Sequence, residues 1–488
     1  MPSSVKNRAK SYSGNRTLFI SLLALVLGAC AQIPPDEQNL STPKNIGDYQ
    51  TSASFNATPT AWPEANWWTQ YGDAQLDTLI EEALSASPDM AIAIARVRQA
   101  EASTQVSGAK LLPQIGAAAS VTEQQQSYNY LSPAAFTPQG WNDYGMAAVD
   151  LKWEIDFWGK NRAGLAAATS ELQAKQADQA QATLMISTSV ALSYSELARL
   201  FATRATSEQA VTVRKKTAEL FTERYQNGME NLGSVRQAEA GLADAQQLLL
   251  LVEEQIGLQR NRLAALMGAG PDRGLSITEP KLKLNRDFGL PKELSANLLG
   301  RRPDIVATRL QAQAQASRID QKQADFYPNV NLMGLIGFQS LGLNVLTQNG
   351  STVGSVGPAI YLPIFTGGRL TGELRGARAQ YEEAVGNYNQ TIVKALQDVA
   401  DAALSKKSLS PRLLKIEQAV AAATDAYRVA RERYEGSLSS YLEVLTAEDA
   451  MLNNMRLLTD LQSRAFTLDI TLTRALGGGY KNDTAIAE

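Results

Sequence analysis

Hydrophobic and polar positions alternate most sharply where Val149, Leu151, Trp153, Ile155 and Phe157 are interleaved with Asp150, Lys152, Glu154 and Asp156. A strict period of two predicts a strand with one oily and one charged face. The pattern recurs more weakly at Val330, Leu332, Ile336 and Phe338 against Asn329, Asn331 and Gly337, and again at Val356, Ile360, Leu362 and Ile364. With the Gly-, Ala- and Ser-rich stretch after Pro113, four strands are expected, at about 113–123, 144–157, 328–339 and 354–365. The stretches 124–143 and 341–354 are polar and rich in Gly, Ser, Asn or Pro, and read as loops. From about Gly164 to Gln226 and Leu370 to Glu435, Ala, Gln, Glu, Leu and Arg dominate, with Pro411 the single proline. At about 1.5 Å per residue, some 63 residues make a rod approaching 95 Å. Ile416, Val420, Ala423, Tyr427, Ala430 and Tyr434 step at heptad spacing, so these helices are expected to pack as coiled coils.

The pattern is written twice. Pro88-Asp89 and Pro113 recur as Pro303-Asp304 and Pro328. Glu223-Arg224-Tyr225 returns as Glu432-Arg433-Tyr434, and Ala238-Glu239 as Ala447-Glu448. Leu266-Met267-Gly268 and Ala475-Leu476-Gly477-Gly478 end the two halves alike. Ordered landmarks of this kind indicate a duplicated unit. The expected organisation is a leader at 1–29, a tether at 30–63, a first repeat at 64–270, a connecting segment at 271–296, a second repeat at 297–478 and a tail at 479–488.

Composition removes whole mechanisms. The 488 residues hold no histidine and one cysteine, Cys30. Imidazole-based nucleophile pairs, an internal disulfide and a cysteine zinc site are therefore excluded. Ser107 and Lys110 fit a Ser-x-x-Lys spacing, but companion motifs are absent. No catalytic residue, metal or cofactor is expected. A net charge of -3 gives no reason to expect nucleic acid. Lys6, Arg8, Lys10 and Arg16 precede an apolar run from Leu18 to Leu27, too short to span a membrane, which reads as an export signal. Leu27-Gly28-Ala29-Cys30 resembles the bacterial lipoprotein box, which implies cleavage before Cys30 and a covalent lipid on its thiol. Cleavage there leaves 42 bases against 49 acids, a charge of -7. Ala31 follows the cysteine where Asp usually marks inner-membrane retention, so the resemblance implies the outer membrane.

Four alternating strands cannot close a membrane barrel, whose smallest forms have about eight. Open edges in lipid leave backbone groups unsatisfied, so copies of the chain must pool strands. A dimer of eight, a trimer of twelve and larger rings all satisfy this arithmetic. Trp67-Trp68 with Tyr71-Gly72-Asp73, Gly300-Arg301-Arg302-Pro303-Asp304, Asp156 to Arg162, Phe326-Tyr327-Pro328, Pro363-Ile364-Phe365 with Gly367-Gly368-Arg369, and Ala475 to Gly479 together resemble the TolC-like outer-membrane efflux factors, in their NodT-type lipoprotein branch.

That resemblance implies a mainly α fold with a β-barrel portion: a trimeric twelve-stranded outer-membrane barrel continued by a long periplasmic helical barrel. It implies an exit duct for small toxic compounds or drugs, not an enzyme. The duct would be served by a periplasmic adaptor and an inner-membrane pump of the resistance-nodulation-division or major-facilitator class. The alternatives are a duct for type I protein secretion, or a lipoprotein scaffold or enzyme. The turns near 227–233 and 436–441 would be periplasmic tips. By position, Arg224, Tyr225, Gly228, Ser234, Arg433, Gly436 and Ser437 are adaptor-contacting candidates, and Tyr434, Leu442, Thr446 and Asp449 are constriction candidates. Thr446 stands where the family commonly has Asp, and Asp449 where Arg is common. Closure is therefore expected to rest on apolar and hydroxyl contacts, with Asp449 repelling its copies unless Arg433 or Arg224 faces it. Gly228 and Gly436 are expected to permit the sharp reversals.

Overall fold

In the computed structural model the described residues are 33–34, 40–129, 133–283, 289–292 and 294–482. The signal segment and Cys30 lie outside them. The helices are α1 (Ala74–Ala86), α2 (Pro88–Ala109), α3 (Lys160–Gln226), α4 (Leu232–Leu266), α5 (Pro271–Leu275), α6 (Leu294–Arg301), α7 (Pro303–Ala324), α8 (Arg369–Glu435) and α9 (Tyr441–Ala475). The strands are β1 (Pro59–Thr60), β2 (Gln114–Gln125), β3 (Trp141–Glu154), β4 (Leu290–Pro291), β5 (Asn329–Leu341) and β6 (Thr352–Tyr361). Two compact units emerge. Among the described residues no helix is long and apolar enough to cross a membrane.

One unit contains 99–173 and 309–386. Its sheet is antiparallel in the order β2-β3-β5-β6. The register sets Leu151 opposite Ile115 and Gly334, Val149 opposite Ala117 and Ile336, Trp153 opposite Leu332, and Val330 opposite Ile360. Side chains alternate along a strand while cross-strand partners share a face. One face is therefore apolar over the body of all four strands, with Glu123, Gln125, Asp143, Ser340 and Thr352 confined to its loop end. The other carries Gln114, Asp150, Lys152, Glu154, Asn329, Asn331 and Ser355, with Met333 and Leu335 among them. Val149, Ile336, Val356 and Ile360 on the apolar face are all exposed, a contiguous patch of the kind that marks an interface.

The strand ends differ from expectation for local reasons. β2, the weakest strand by composition, starts after Pro113, which has no N–H for a ladder, and pairs along all its residues with β3. β3 stops at Glu154 rather than 157 because Asp156 turns to the start of α3, accepting the N–H groups of Asn161 at 3.1 Å and Arg162 at 2.9 Å. β6 stops at Tyr361 rather than 365, ahead of Pro363 and the left-handed Gly367 and Gly368. Behind the sheet's strands in sequence, Ile319 and Phe326 pack with Leu370, Leu374 and Ala377.

The other unit contains 43–98, 174–308 and 387–488. Trp67, Trp68 and Tyr71 are buried with Leu76, Leu79 and Ile80 against Tyr194, Leu197, Leu263 and Met267. These tryptophans belong to the core. Asp73 caps α1 through the Gln75 N–H and also accepts the Tyr194 hydroxyl at 2.8 Å and the Lys281 N–H at 2.7 Å. The glycines that end the two repeats do the same work: a side chain at Gly268 would meet the Ala86 carbonyl at 2.8 Å, just before Pro88, and one at Gly477 would collide with the Arg301 carbonyl, just before Pro303. Each repeat thus closes its terminal glycine onto the turn that precedes its own first long helix.

Candidate functional site

The α3–α4 and α8–α9 turns lie in the second unit. At the end of α3, Gly228 takes the left-handed conformation with φ +71°, and the Met229 N–H returns to the Arg224 carbonyl at 2.8 Å. This satisfies helix-end carbonyls that would otherwise lack partners. Asn231 then caps α4 by accepting the Ser234 N–H at 3.0 Å. Between them Glu230 gathers donors: the Asn231 backbone N–H at 2.9 Å, the Ser234 hydroxyl at 2.9 Å and the Tyr434 hydroxyl.

The second turn solves the same problem with different residues. The Leu438 N–H returns to the Arg433 carbonyl at 2.7 Å. The left-handed residue here is Ser437, with φ 59°. Gly436 is not in that conformation, so the expectation that it permits the reversal is corrected: the reversal falls one residue later, on a side chain for which it costs energy. Ser440 begins α9 without a side-chain cap.

Long-range contacts join the turns. The Arg224 guanidinium lies 4.6 Å from the Tyr434 ring centroid and donates to the Glu435 carbonyl at 3.2 Å and the Ser437 hydroxyl at 3.1 Å. Phe221 packs on Tyr434 at 5.1 Å between ring centroids. Val235, Ala238, Val444 and Leu445 complete the small core. Tyr434 is 3% exposed, whereas Leu442 is 57% exposed. Thr446 spends its hydroxyl on the Leu442 carbonyl within its own helix, at 2.8 Å. Arg433 bonds the Leu438 carbonyl at 3.3 Å. Tyr225 is exposed and Ser234 buried.

The cation facing Asp449 is Arg214, neither Arg433 nor Arg224. Arg214 also pairs with the buried Glu448 at 2.9 Å, and the Thr217 hydroxyl donates to the same carboxylate. No sequence spacing points to the Arg214–Glu448, Arg214–Asp449 and Tyr434–Glu230 contacts, because each joins residues more than two hundred positions apart. Glu448 was visible only as the repeat of Glu239.

Burial pushes the Glu448 carboxyl up, against the Thr217 hydrogen bond and Arg214 charge. Glu230 is also pushed up by its surroundings, but the Tyr434, Asn231 and Ser234 hydrogen bonds and the Arg224 charge hold it below its ordinary value. Burial and the Glu230 carboxylate raise the Tyr434 hydroxyl, so it remains a donor. Among the described residues no group of three or more Cys, Asp or Glu could hold a metal ion. The arrangement binds two hairpins to each other; it presents no activated nucleophile.

The family model described as outer membrane efflux protein matches residues 79–269 and 294–478. The multidrug resistance outer membrane protein MdtQ of Escherichia coli is 30% identical over 468 residues, covering 94% of this chain and 97% of that protein. The fusaric acid resistance protein FusA of Burkholderia cepacia is 34% identical over 375 residues, 75% of this chain and 70% of its own. Among solved structures, the outer membrane protein VceC of Vibrio cholerae is 50% identical with a TM-score of 0.82, covering 86% of this chain and 100% of that one. The CmeC outer membrane channel of Campylobacter jejuni has a TM-score of 0.83 over 92% of this chain and 96% of its own, at 23% identity, a likeness of fold.

Proposed function

The chain belongs to the outer membrane efflux protein family, and we propose that it is the outer-membrane exit duct of a tripartite efflux system, passing small toxic compounds or drugs without changing them covalently. The observation that carries this reading is the sheet. One face is apolar over the body of the four strands, with Glu123, Gln125 and Asp143 at its loop end, the other face is more polar, and β2 and β6 are both left as edges. Such a sheet suits lipid on one side and water on the other only if its edges are paired. β2 and β6 run in opposite directions, so β6 of one copy can pair antiparallel with β2 of the next. Three copies give twelve strands around a polar bore.

The hairpin turns are then the end at which the duct closes and meets its adaptor, with an inner-membrane pump of the resistance-nodulation-division or major-facilitator class supplying cargo. Closure rests on the Arg224, Tyr434 and Glu230 tie within each copy and on Leu442, whose exposed side chain would meet its copies near the axis. Arg214, shared with Glu448, faces Asp449 within each copy, which reduces the repulsion expected of that ring. Cys30, lipidated after signal cleavage, adds a second membrane anchor beside the barrel.

The test is deletion of the gene followed by drug-susceptibility profiling, with complementation by the wild-type chain and by Leu151→Arg. Arginine on the lipid face near the bilayer midplane costs about 2–4 kcal/mol, so this variant should fail to complement, while Asp150→Asn on the polar face should succeed. Equal failure of both variants, or unchanged susceptibility on deletion, would count against a lipid-and-lumen duct. Cys30→Ser behind a conventional cleavage site should lose acyl labelling and still assemble.

A further inference from the structure

Within the second unit, α3, α8 and α9 enclose a groove of about 540 Å³, inside the range of roughly 300–1,000 Å³ typical of small-molecule sites. Ile416, Leu457, Leu461 and Leu468 supply apolar lining. Three arginines, Arg199, Arg412 and Arg464, share it with two acids, Glu196 and Asp460. Arg199 is committed to both acids: it donates to Glu196 at 2.9 and 2.7 Å and to Asp460 at 3.1 Å. Those contacts raise its affinity for its proton and fix it as a strut of the groove.

Arg412 and Arg464 are different. Both are exposed, and among the described residues neither makes a hydrogen bond, an ion pair or a ring contact. The groove therefore has an excess of one positive charge, and that excess is carried by two guanidiniums whose donors are free. A guanidinium presents a planar fork that fits a carboxylate or sulfonate and holds it by charge-assisted bonds. A bare inorganic anion would use the fork and leave the leucine wall wet. A neutral oil would cover the wall and leave the guanidiniums with water alone as acceptor. A cationic amphiphile would be repelled. The one chemistry that meets both surfaces has an anionic head on an apolar body.

We propose that this groove binds an anionic amphiphile, its head on Arg412 and Arg464 and its apolar body along Ile416, Leu457, Leu461 and Leu468. The site is independent of the hairpin turns and of how the duct is gated, so it stands or falls by binding to the isolated protein. The full chain in nanodiscs is dialysed to equilibrium against radiolabelled dodecanoate, with empty nanodiscs subtracted. The expected result is saturable binding at one site per chain, weakened on the order of tenfold or more in Arg412→Gln/Arg464→Gln, partly retained in the double Lys variant, and absent for dodecyltrimethylammonium. Dodecanoate binding that is unchanged in the double Gln variant, or matched by the cation, overturns the proposal. A crystal of the wild-type protein grown with 12-bromododecanoate decides the matter without any variant: an anomalous bromine peak against Leu457 and Leu461 supports it. A groove that is empty, or covered by a neighbouring copy, overturns it.

Discussion

The turn at 227–231 and the turn at 436–440 occupy matching places in the two repeats, yet matching residues have opposite environments. Tyr434 is 3% exposed and its counterpart Tyr225 is 43% exposed. Glu448 is fully buried beside Arg214, while its counterpart Glu239 pairs with Arg236 on the surface, at 2.6 Å. Arg224 crosses to the other turn, whereas Arg433 bonds its own. Duplication copies residue types, but one chain contains only one junction between its first hairpin and its second. The second repeat's Tyr and Glu fill that junction; the first repeat's are left over for whatever lies on the other side. In the proposed ring of copies, the second hairpin of a neighbour is the surface available to complete them.

The largest break in this comparison is Tyr434→Ala against Tyr225→Ala. Removing the buried ring should cost about 3–5 kcal/mol, read as early melting of the isolated chain. The exposed ring should cost under about 0.5 kcal/mol there, while loosening association between copies in cross-linking. Equal effects would show that the two turns are equivalent after all.

Next, Arg224→Ala removes a ring contact and two hydrogen bonds that span the hairpins, an expected loss of about 1.5–3 kcal/mol. Arg433→Ala should stay near 0.5 kcal/mol, since its single bond is local and solvated. If the tie also holds the duct shut, Arg224→Ala should raise single-channel conductance and Arg433→Ala should not.

Gly228→Ala should cost about 1–2 kcal/mol from left-handed strain alone, because nothing lies within 4 Å of the added carbon. Gly436→Ala should be close to neutral, its nearest neighbours standing at 3.5 Å. Asn231→Ala should cost about 1 kcal/mol as a lost helix cap, with no matching loss at Ser440. Thermal melting of the four variants ranks them directly.

The smallest effect is on pH. Glu230 is held below its ordinary value, so its contribution is present above about pH 4.3 and is lost as the pH falls through its folded value. Glu448 is raised, so its contribution is full below about pH 4.3 and declines as the pH rises through its folded value. Glu230→Gln should flatten the melting profile on the acid side of that point, and Glu448→Gln on the neutral side. A profile unchanged in both would place the pH dependence elsewhere.

Much of the scaffold was legible because it is periodic. Val149 to Phe157 announced a two-faced strand, and the long proline-poor stretches announced helices. The prolines at 88, 113, 303 and 328 announced the repeat. The Gly, Ala and Ser after Pro113 have little strand preference of their own; pairing with β3 decides that strand. The candidate site was legible only as a location. Tyr434 was named, but its contacts with Glu230 and Arg224 join residues far apart in the chain, and no spacing rule reaches that far.

By itself, then, the amino-acid order determined the local alternatives: where helices and strands begin, which face of each strand is oily, where glycine or asparagine can turn the chain, and that four strands leave two edges. Tertiary structure alone decided which of two identical residue types is buried, that Arg214 and not Arg433 answers Asp449, and that Ser437 carries the reversal expected of Gly436. The physical reason is the range of the forces involved. Propensity and periodicity act within a turn or two, while burial, ion pairing and cross-hairpin hydrogen bonds exist only once segments some two hundred residues apart are brought together.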